Sequence, residues 1–130
     1  MIVVDASALV DVLLHIGAAD AVERRLSSFG EMAHVPHLID LEIAQVLRRR
    51  AASGQMTLAR CRMALDDLTD FRLFRHPHDF LLRRVWELRD NLTAYDAAYV
   101  ALAEFLNAPL LTRDRRLAAA PGHRARIDLV

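Results

Sequence analysis

Short apolar segments of strand length alternate with longer segments of helical periodicity along the whole chain. The strand-like segments are the runs at 2–5, 32–36, 71–76, 109–112 and 124–130. The helical segments are those at 7–14, 19–29, 37–53, 57–68, 79–90, 93–107 and 115–120. Regular alternation of this kind is typical of parallel strands, so it predicts an α/β fold whose sheet is covered by helices on both faces. A chain of 130 residues is expected to form this fold as one domain, 1–130.

Two of the strand-like segments differ from the others in pattern. The segment at 71–76 alternates apolar and polar residues, which predicts a more exposed strand. The segment at 124–130 alternates in the same way and is predicted to be an edge strand.

A carboxylate stands at the end of the first apolar run. Asp5 follows three β-branched residues, and a carboxylate beside an apolar core needs a hydrogen-bond donor, a proton or a cation. Asp114 lies two residues beyond the end of the 109–112 segment. Functional groups of parallel sheets collect beyond the carboxyl ends of the strands. If the first and fourth strands are neighbours, these two carboxylates converge.

Two further acids stand near predicted helix starts. Glu42 falls early in the helix at 37–53, and Asp96 follows Thr93 at the spacing of a capping box. Taken alone, each acid has an ordinary structural explanation, because acids at helix starts satisfy free N–H groups and favour the helix dipole. One shared acidic site explains all four acids with a single cause.

Four crowded carboxylates need protons or a cation. At an effective dielectric of about 20, two carboxylates about 5 Å apart repel by roughly 3 kcal/mol, and four could cost on the order of 10–20 kcal/mol. A whole domain is stable by only about 5–15 kcal/mol. Ligands that are all oxygen suit Mg²⁺ or Mn²⁺, which activate water and stabilise charge on a phosphodiester. The acids therefore point to a nuclease or a phosphatase.

The composition excludes several other kinds of site. All 17 basic residues are arginine, so a P-loop lysine and a Schiff-base lysine are impossible. His34 with His37 and His76 with His78 are interpreted as loop histidines, since one cysteine and no HExxH motif argue against zinc. The single Cys61 excludes an internal disulfide and favours the cytoplasm. No apolar stretch is long enough for a membrane span. The formal net charge is zero, so binding of a polyanion would need a local basic patch.

The order and spacing of these motifs resemble one known family. The motifs are D-x-S near the N-terminus, an acid in the first turns of the third helix, T-x-Y-D-A-A-Y-V-A-L-A, and L-L-T-x-D. Together they extend over essentially the whole chain. They resemble a PIN domain and, more narrowly, the VapC toxins of bacterial toxin–antitoxin pairs. The resemblance implies a three-layer PIN-like fold, with a central parallel sheet of about five short strands, and an acidic pocket that holds Mg²⁺ or Mn²⁺.

The resemblance also implies roles for individual residues. The four catalytic acids would be Asp5, Glu42, Asp96 and Asp114. Asp5 and Asp96 match the pair that binds the metal, and the other two acids reach it directly or through water. Ser7 and Thr112 match the hydroxyls that support the acids.

The function implied by the resemblance is that of an Mg²⁺- or Mn²⁺-dependent endoribonuclease. It would be the toxin of a VapBC-type module, hydrolysing RNA phosphodiester bonds through a metal-activated water in the four-carboxylate pocket. Its expected partners are RNA, a VapB-type antitoxin and a second copy of the chain, and no membrane is involved. The alternative is a PIN-like module without catalytic activity that binds RNA or a protein partner. A phosphatase or receiver domain with a phosphorylated aspartate is disfavoured, because both expect a lysine in the site.

Three arginines beside Asp114 are candidates for RNA binding. Arg113, Arg115 and Arg116 flank that acid, and arginine binds phosphate through two parallel hydrogen bonds. Their alternative interpretation is a solvated helix start.

Overall fold

Five short parallel strands form the central sheet of the computed structural model, which describes residues 1–30 and 32–130. The strands are β1 (Val3–Val4), β2 (Ala33–Pro36), β3 (Leu73–His76), β4 (Leu110–Thr112) and β5 (Ile127–Leu129). Their order across the sheet is β3-β2-β1-β4-β5, and each neighbouring pair is parallel. The predicted α/β fold with a parallel sheet of about five strands is confirmed.

Seven α-helices connect the strands in the described part of the chain. They are α1 (Ala6–Leu14), α2 (Ala19–Ser28), α3 (Ile39–Ala52), α4 (Leu58–Asp70), α5 (Leu82–Glu87), α6 (Ala94–Leu106) and α7 (Arg115–Ala119). Helices α1 to α4 pack on one another, and α6 packs on α5 and on the sheet. Because crossovers between parallel strands are right-handed, the two groups lie on opposite faces, which gives three layers. None of the described helices combines the length and apolar character that a bilayer span requires.

The central strand and α6 form the most deeply buried part of the core. Ile2, Val3 and Val4 have no exposed surface, as expected for a β-branched run with a neighbouring strand on each side. Residues 97–103 of α6 are all buried, so this helix lies in the interior on most of its circumference. Burial of one Val or Leu side chain contributes about 1.5–3 kcal/mol, so this apolar segment holds α6 against the sheet.

The positions of the edge strands agree with their sequence patterns, but the interpretation of two histidines as loop residues does not agree with the structure. β3 and β5 form the two edges of the sheet, so the predicted edge strand at 124–130 is confirmed, and the edge position of β3 agrees with the more exposed strand predicted at 71–76. The interpretation of His34 and His76 as loop residues is wrong, because they belong to β2 and β3. Adjacent strands bring their side chains together, and His34 Nδ1 lies 2.8 Å from His76 Nε2. Burial, followed by the charges of His34 and His37, lowers the pKa of His76.

One segment predicted as a continuous helix is divided. The run at 79–90 begins with a 3₁₀ turn at Asp79–Leu81 and continues as α5, which ends at Glu87. The other predicted helices and strands agree with the structure to within a few residues at their ends.

The strand order creates a crevice between β1 and β4. The chain starts in β1, builds one half of the sheet through β2 and β3, and then crosses to β4 on the other side of β1. Val4 pairs with Leu111, and the N–H of Asp5 donates to the carbonyl oxygen of Leu111 at 3.1 Å. The first and fourth strands are thus neighbours, which is the condition for Asp5 and Asp114 to converge. In open α/β sheets, ligands bind at the carboxyl ends of strands where the strand order reverses in this way.

Candidate active site

A cavity of about 1110 Å³ opens at the carboxyl ends of β1 and β4. The starts of α1, α6 and α7 and one face of α3 contribute to its walls. We call it the acidic cavity, because its lining includes all four predicted acids, Asp5, Glu42, Asp96 and Asp114. Asp5 and Asp114 come from opposite ends of the chain, so only the folded sheet brings them together. Their catalytic role stays a prediction.

Asp5 is fixed by three hydrogen bonds at the start of α1. Its Oδ1 accepts from the N–H of Ala8 at 3.0 Å and from the hydroxyl of Ser7 at 2.7 Å. Its Oδ2 accepts from the hydroxyl of Thr112 at 2.5 Å. An ionised carboxylate offers about four acceptor positions, so one position on Oδ2 remains. Asp5 is therefore a helix cap and a cavity residue at once.

The loop after β4 is attached to the same group of hydroxyls. The N–H of Asp114 donates to Thr112 Oγ1 at 2.9 Å, and the N–H of Arg113 donates to Ser7 Oγ at 3.0 Å. Asp114 caps α7 through its Oδ1, which accepts from the N–H of Arg116 at 2.8 Å. Its Oδ2 has no hydrogen-bond partner among the described residues. The two hydroxyls predicted to support the acids thus connect the first strand to the loop that carries Asp114.

Glu42 is held by a tyrosine that the sequence analysis did not assign to the site. The hydroxyl of Tyr99 donates to Glu42 Oε1 at 2.7 Å, and only 1% of Tyr99 is exposed. Burial and then the charge of Glu42 raise the pKa of Tyr99 well above its ordinary value, so the hydroxyl keeps its proton. Tyr99 follows Asp96 by three residues, which places both on one face of α6. That spacing is the signal that could have identified it.

Asp96 is the acid whose charge acts on both Asp5 and Glu42. Burial raises the pKa of Asp5, and despite its hydrogen bonds the charge of Asp96 raises it further. Burial raises the pKa of Glu42, the hydrogen bond from Tyr99 lowers it, and the charges of Asp96 and Asp5 add to the rise. For Asp96 itself, burial raises the pKa first and the charge of Asp114 second. The acidic cavity therefore concentrates negative charge around Asp96.

No ion pair among the described residues balances the charge of the four predicted acids. Across the described residues, none of the four acids lies within ion-pair distance of an arginine. Arg116 acts only at longer range, where its charge lowers the pKa of Asp96 in opposition to burial. A cation from solution would relieve the repulsion that remains.

The donor atoms fit a small, hard cation. They are carboxylate and hydroxyl oxygens, which suit Mg²⁺ and Mn²⁺. No three Asp, Glu, His or Cys side chains in residues 1–30 and 32–130 form a cluster that could hold a metal ion. Mg²⁺ keeps several waters and is usually bound by only one or two carboxylates together with substrate phosphates. Two carboxylates of the acidic cavity would therefore suffice for this ion.

The three candidate arginines have three different environments. Arg113 forms an ion pair with the buried Asp11, and the pair packs against Gly17. Gly17 has a φ of +55°, and a Cβ there would overlap both side chains. Arg115 is exposed and lies outside the lining, whereas Arg116 belongs to it. The structure brings only Arg116 of the three to the acidic cavity.

Two other arginines line the acidic cavity. Arg49 and Arg50 belong to α3, the helix that carries Glu42. The sequence analysis did not select them, because a basic run near the end of a helix is also explained by the helix dipole. Their spacing from Glu42, two helical turns along the same helix, could have identified them.

Comparison with known proteins identifies the family. The family model of the PIN domain matches residues 2–122. Ribonuclease VapC1 of Mycobacterium tuberculosis is 46% identical to this chain over 129 residues, which are 98% of this chain and 96% of that protein. Ribonuclease VapC9 of the same species is 50% identical over 117 residues, which are 90% of this chain and 88% of that protein.

A solved structure agrees with the fold. The crystal structure of VapBC2 from Rickettsia felis, bound to a DNA fragment from their promoter, has a TM-score of 0.72 with this chain. The match covers 100% of this chain and 99% of that chain at 15% sequence identity, so this likeness supports the fold alone. The family match, the two ribonuclease relatives and the five-stranded sheet agree with one another. The chain belongs to the PIN domain family, among the VapC ribonucleases.

Proposed function

We propose that the protein is an Mg²⁺- or Mn²⁺-dependent endoribonuclease that hydrolyses RNA phosphodiester bonds in the acidic cavity. The observation that carries this proposal is the convergence of four acids on one cavity in which no described arginine forms an ion pair with them. The names of the relatives add support, since VapC1 and VapC9 are both ribonucleases.

Asp5 and Asp96 would hold the ion, and Glu42 and Asp114 would reach it directly or through water. When bound, a divalent ion lowers the pKa of water and offsets the charge that develops on the phosphoryl oxygens. Asp5 would bind through Oδ2 alone, since its other acceptor positions are occupied. The hydroxyls that donate to Asp5 keep its carboxylate from rotating, so its position is set before RNA arrives.

Glu42 is suited to accept the proton of the attacking water. Tyr99 holds its Oε1, and its Oε2 has no partner among the described residues. Burial raises the pKa of Glu42, and a carboxylate with a raised pKa is a stronger base at neutral pH. Asp114, fixed as the cap of α7, would orient the water or the phosphate.

We propose further that the chain is the toxin of a VapBC-type module, with a VapB-type antitoxin as its partner and a second copy of the chain in a homodimer. Membership among the VapC ribonucleases supports the antitoxin, and the Rickettsia felis structure is a VapBC2 complex. The toxin would act on RNA in the cytoplasm. We also propose that residues 1–130 form one PIN domain, because β5 lies beyond the matched range and still belongs to the same sheet.

The test is RNA cleavage by the purified chain. Cleavage of total bacterial RNA should require Mg²⁺ or Mn²⁺ and stop when EDTA is added. Asp5→Asn and Asp96→Asn should each lose most of the activity while keeping a folded circular dichroism spectrum. Asp90→Asn is the matched control, because Asp90 is exposed and lies outside the acidic cavity.

Two results would change the proposal. Undiminished cleavage by folded Asp96→Asn protein would overturn the assignment of the acids. A wild-type protein that binds RNA but cuts none with either ion would favour the alternative, a PIN-like binding module without activity.

A further inference from the structure

One face of α3 lines the acidic cavity. This face has an acidic end at Glu42, near the start of the helix, and a basic end at Arg49 and Arg50, near its last turn. The residues of this face include Glu42, Gln45, Val46, Arg49 and Arg50, which recur at intervals of three and four. Because this is the spacing of a single helix face, the side chains form a continuous strip. Glu42 and Arg49 lie seven residues apart, which is two helical turns, or about 10 Å along the axis.

The side chains of the two arginines at the basic end have no polar partner among the described residues. Within residues 1–30 and 32–130, neither Arg49 nor Arg50 forms a side-chain hydrogen bond or an ion pair. Other arginines do, as in the contacts of Arg75 with Asp40 and of Arg113 with Asp11. The four predicted acids of the same cavity likewise form no ion pair with an arginine in the part of the chain that the structure describes. If the arginines served to neutralise those acids, the two sets would lie in contact.

The separation of charges along α3 matches the needs of a nucleic-acid strand. A phosphodiester at the acidic end would be neutralised by a bound cation, whereas the neighbouring phosphates would be neutralised by arginine side chains. The distance of about 10 Å corresponds to about three stacked nucleotides at about 3.4 Å each. Arginine is the side chain best suited to bind a phosphate with two hydrogen bonds.

We propose that Arg49 and Arg50 bind the phosphate backbone of the RNA on one side of the bond that is cut, so that α3 orients the strand across the acidic cavity. This inference rests on the proposed function and specifies how the same site holds its substrate. It also replaces Arg113 and Arg115 as RNA contacts, since the first is paired with Asp11 and the second lies outside the cavity. Arg116 also lines the acidic cavity and stays a candidate RNA contact.

The experiment measures binding of a short, mixed-sequence, single-stranded RNA by fluorescence anisotropy across a salt series. All variants are made in the inactive Asp96→Asn background, so that the RNA stays intact. Each lost phosphate contact should reduce the slope of log affinity against log salt by about 0.7. Arg49→Ala with Arg50→Ala should therefore flatten the slope by about 1.4 and weaken binding about tenfold or more at low salt.

Arg48→Ala is the matched control. Arg48 precedes the pair on the same helix, is exposed and carries the same charge, but it does not line the acidic cavity. Its replacement should leave affinity and slope nearly unchanged. Arg49→Lys should keep the slope and recover part of the affinity, because lysine retains the charge and loses the paired hydrogen bonds.

A second measurement separates this inference from the proposed function. In the active protein, the double variant should raise KM much more than it lowers kcat, since the contact exists before and during the reaction. Unchanged affinity and slope in the double variant, or equal losses in Arg48→Ala, would overturn the role of Arg49 and Arg50 while cleavage by wild type still stands. A wild type that cuts no RNA would instead overturn the function itself.

Discussion

Replacing Asp96 by asparagine should stabilise the protein when no metal is present. Asp96 raises the pKa of both Asp5 and Glu42 through its charge, and Asp114 raises the pKa of Asp96. Asparagine removes that charge at nearly constant volume. The contact that caps α6 is kept, because Thr93 Oγ1 accepts from the backbone N–H of residue 96 and not from its side chain.

The expected gain is small but measurable. Two carboxylates about 6 Å apart repel by about 3 kcal/mol at an effective dielectric of 20. Asp96 is partly exposed, so solvent and salt reduce the relief to about 1–2 kcal/mol. An acid lost from the first turn of a helix costs about 0.3–1 kcal/mol. The net gain of about 1 kcal/mol corresponds to about 3 °C in Tm for a chain of this size.

Mg²⁺ should reverse the order of the Tm values of wild type and Asp96→Asn. A ligand at a hundred times its Kd stabilises the folded state by about 2.7 kcal/mol, which is about 8–10 °C here. Wild type should gain this amount from Mg²⁺, and Asp96→Asn much less, since it has lost one of the two proposed ligands. The variant should therefore melt above wild type in EDTA and below it in saturating Mg²⁺.

The assay is thermal unfolding followed by circular dichroism, in EDTA and in a Mg²⁺ series at pH 7. Asp90→Asn controls for the loss of one negative charge elsewhere, and its response to Mg²⁺ should equal that of wild type. Two results would refute the reasoning. A variant that melts clearly below wild type in EDTA would mean that the acids do not repel, and equal Mg²⁺ shifts would mean that Asp96 does not share an ion.

Three further predictions concern pH, a hydrogen bond and an ion pair. Folding raises the pKa of Asp96, so the contribution of Asp96 to stability is full below the unfolded pKa of about 3.8 and is lost as the pH rises through the folded pKa. The Tm advantage of Asp96→Asn in EDTA should therefore grow from about pH 4 to pH 7. Tyr99→Phe should lower kcat about tenfold and keep the Mg²⁺ shift in Tm, because Glu42 loses its donor while the proposed metal ligands remain. Burial raises the pKa of Glu104, but hydrogen bonds from Arg84 and its charge outweigh this and lower it, so Glu104→Gln should cost about 2–3 kcal/mol in urea unfolding at pH 7. That difference should shrink as the pH falls below about 4.5 through the lowered folded value.

The parts of the site that local patterns determine were predictable from the sequence. Asp5 could be placed because it ends a β-branched run, and Asp114 because it follows the strand that pairs with that run. Each also proved to be a helix cap, so the structural and the functional interpretations of these acids are compatible. A capping acid uses one side of its carboxylate and presents the other to the cavity.

The parts that depend on side-chain direction were not predictable. Arg113 stands beside Asp114 in the sequence, yet its side chain turns to Asp11, a partner that only the packing of α1 against the loop after β4 provides. Tyr99 is buried in the core, but its hydroxyl group donates to Glu42 of another helix. The strand positions of His34 and His76 follow from the strand-like segments at 32–36 and 71–76, whereas the contact between their rings depends on the pairing of β2 with β3.

The central position of β1 determines when an active molecule can exist during synthesis. β1 and Asp5 are made first, but β4, Thr112 and Asp114 follow only after the stretch that forms the other half of the sheet. At about 5–20 residues per second, that delay is roughly 5–20 s. Contacts between such distant parts of a chain also form late in folding, because a long loop must close first. The acidic cavity therefore cannot be complete until nearly the whole domain has been made, because a chain that stops before β4 lacks Thr112 and Asp114.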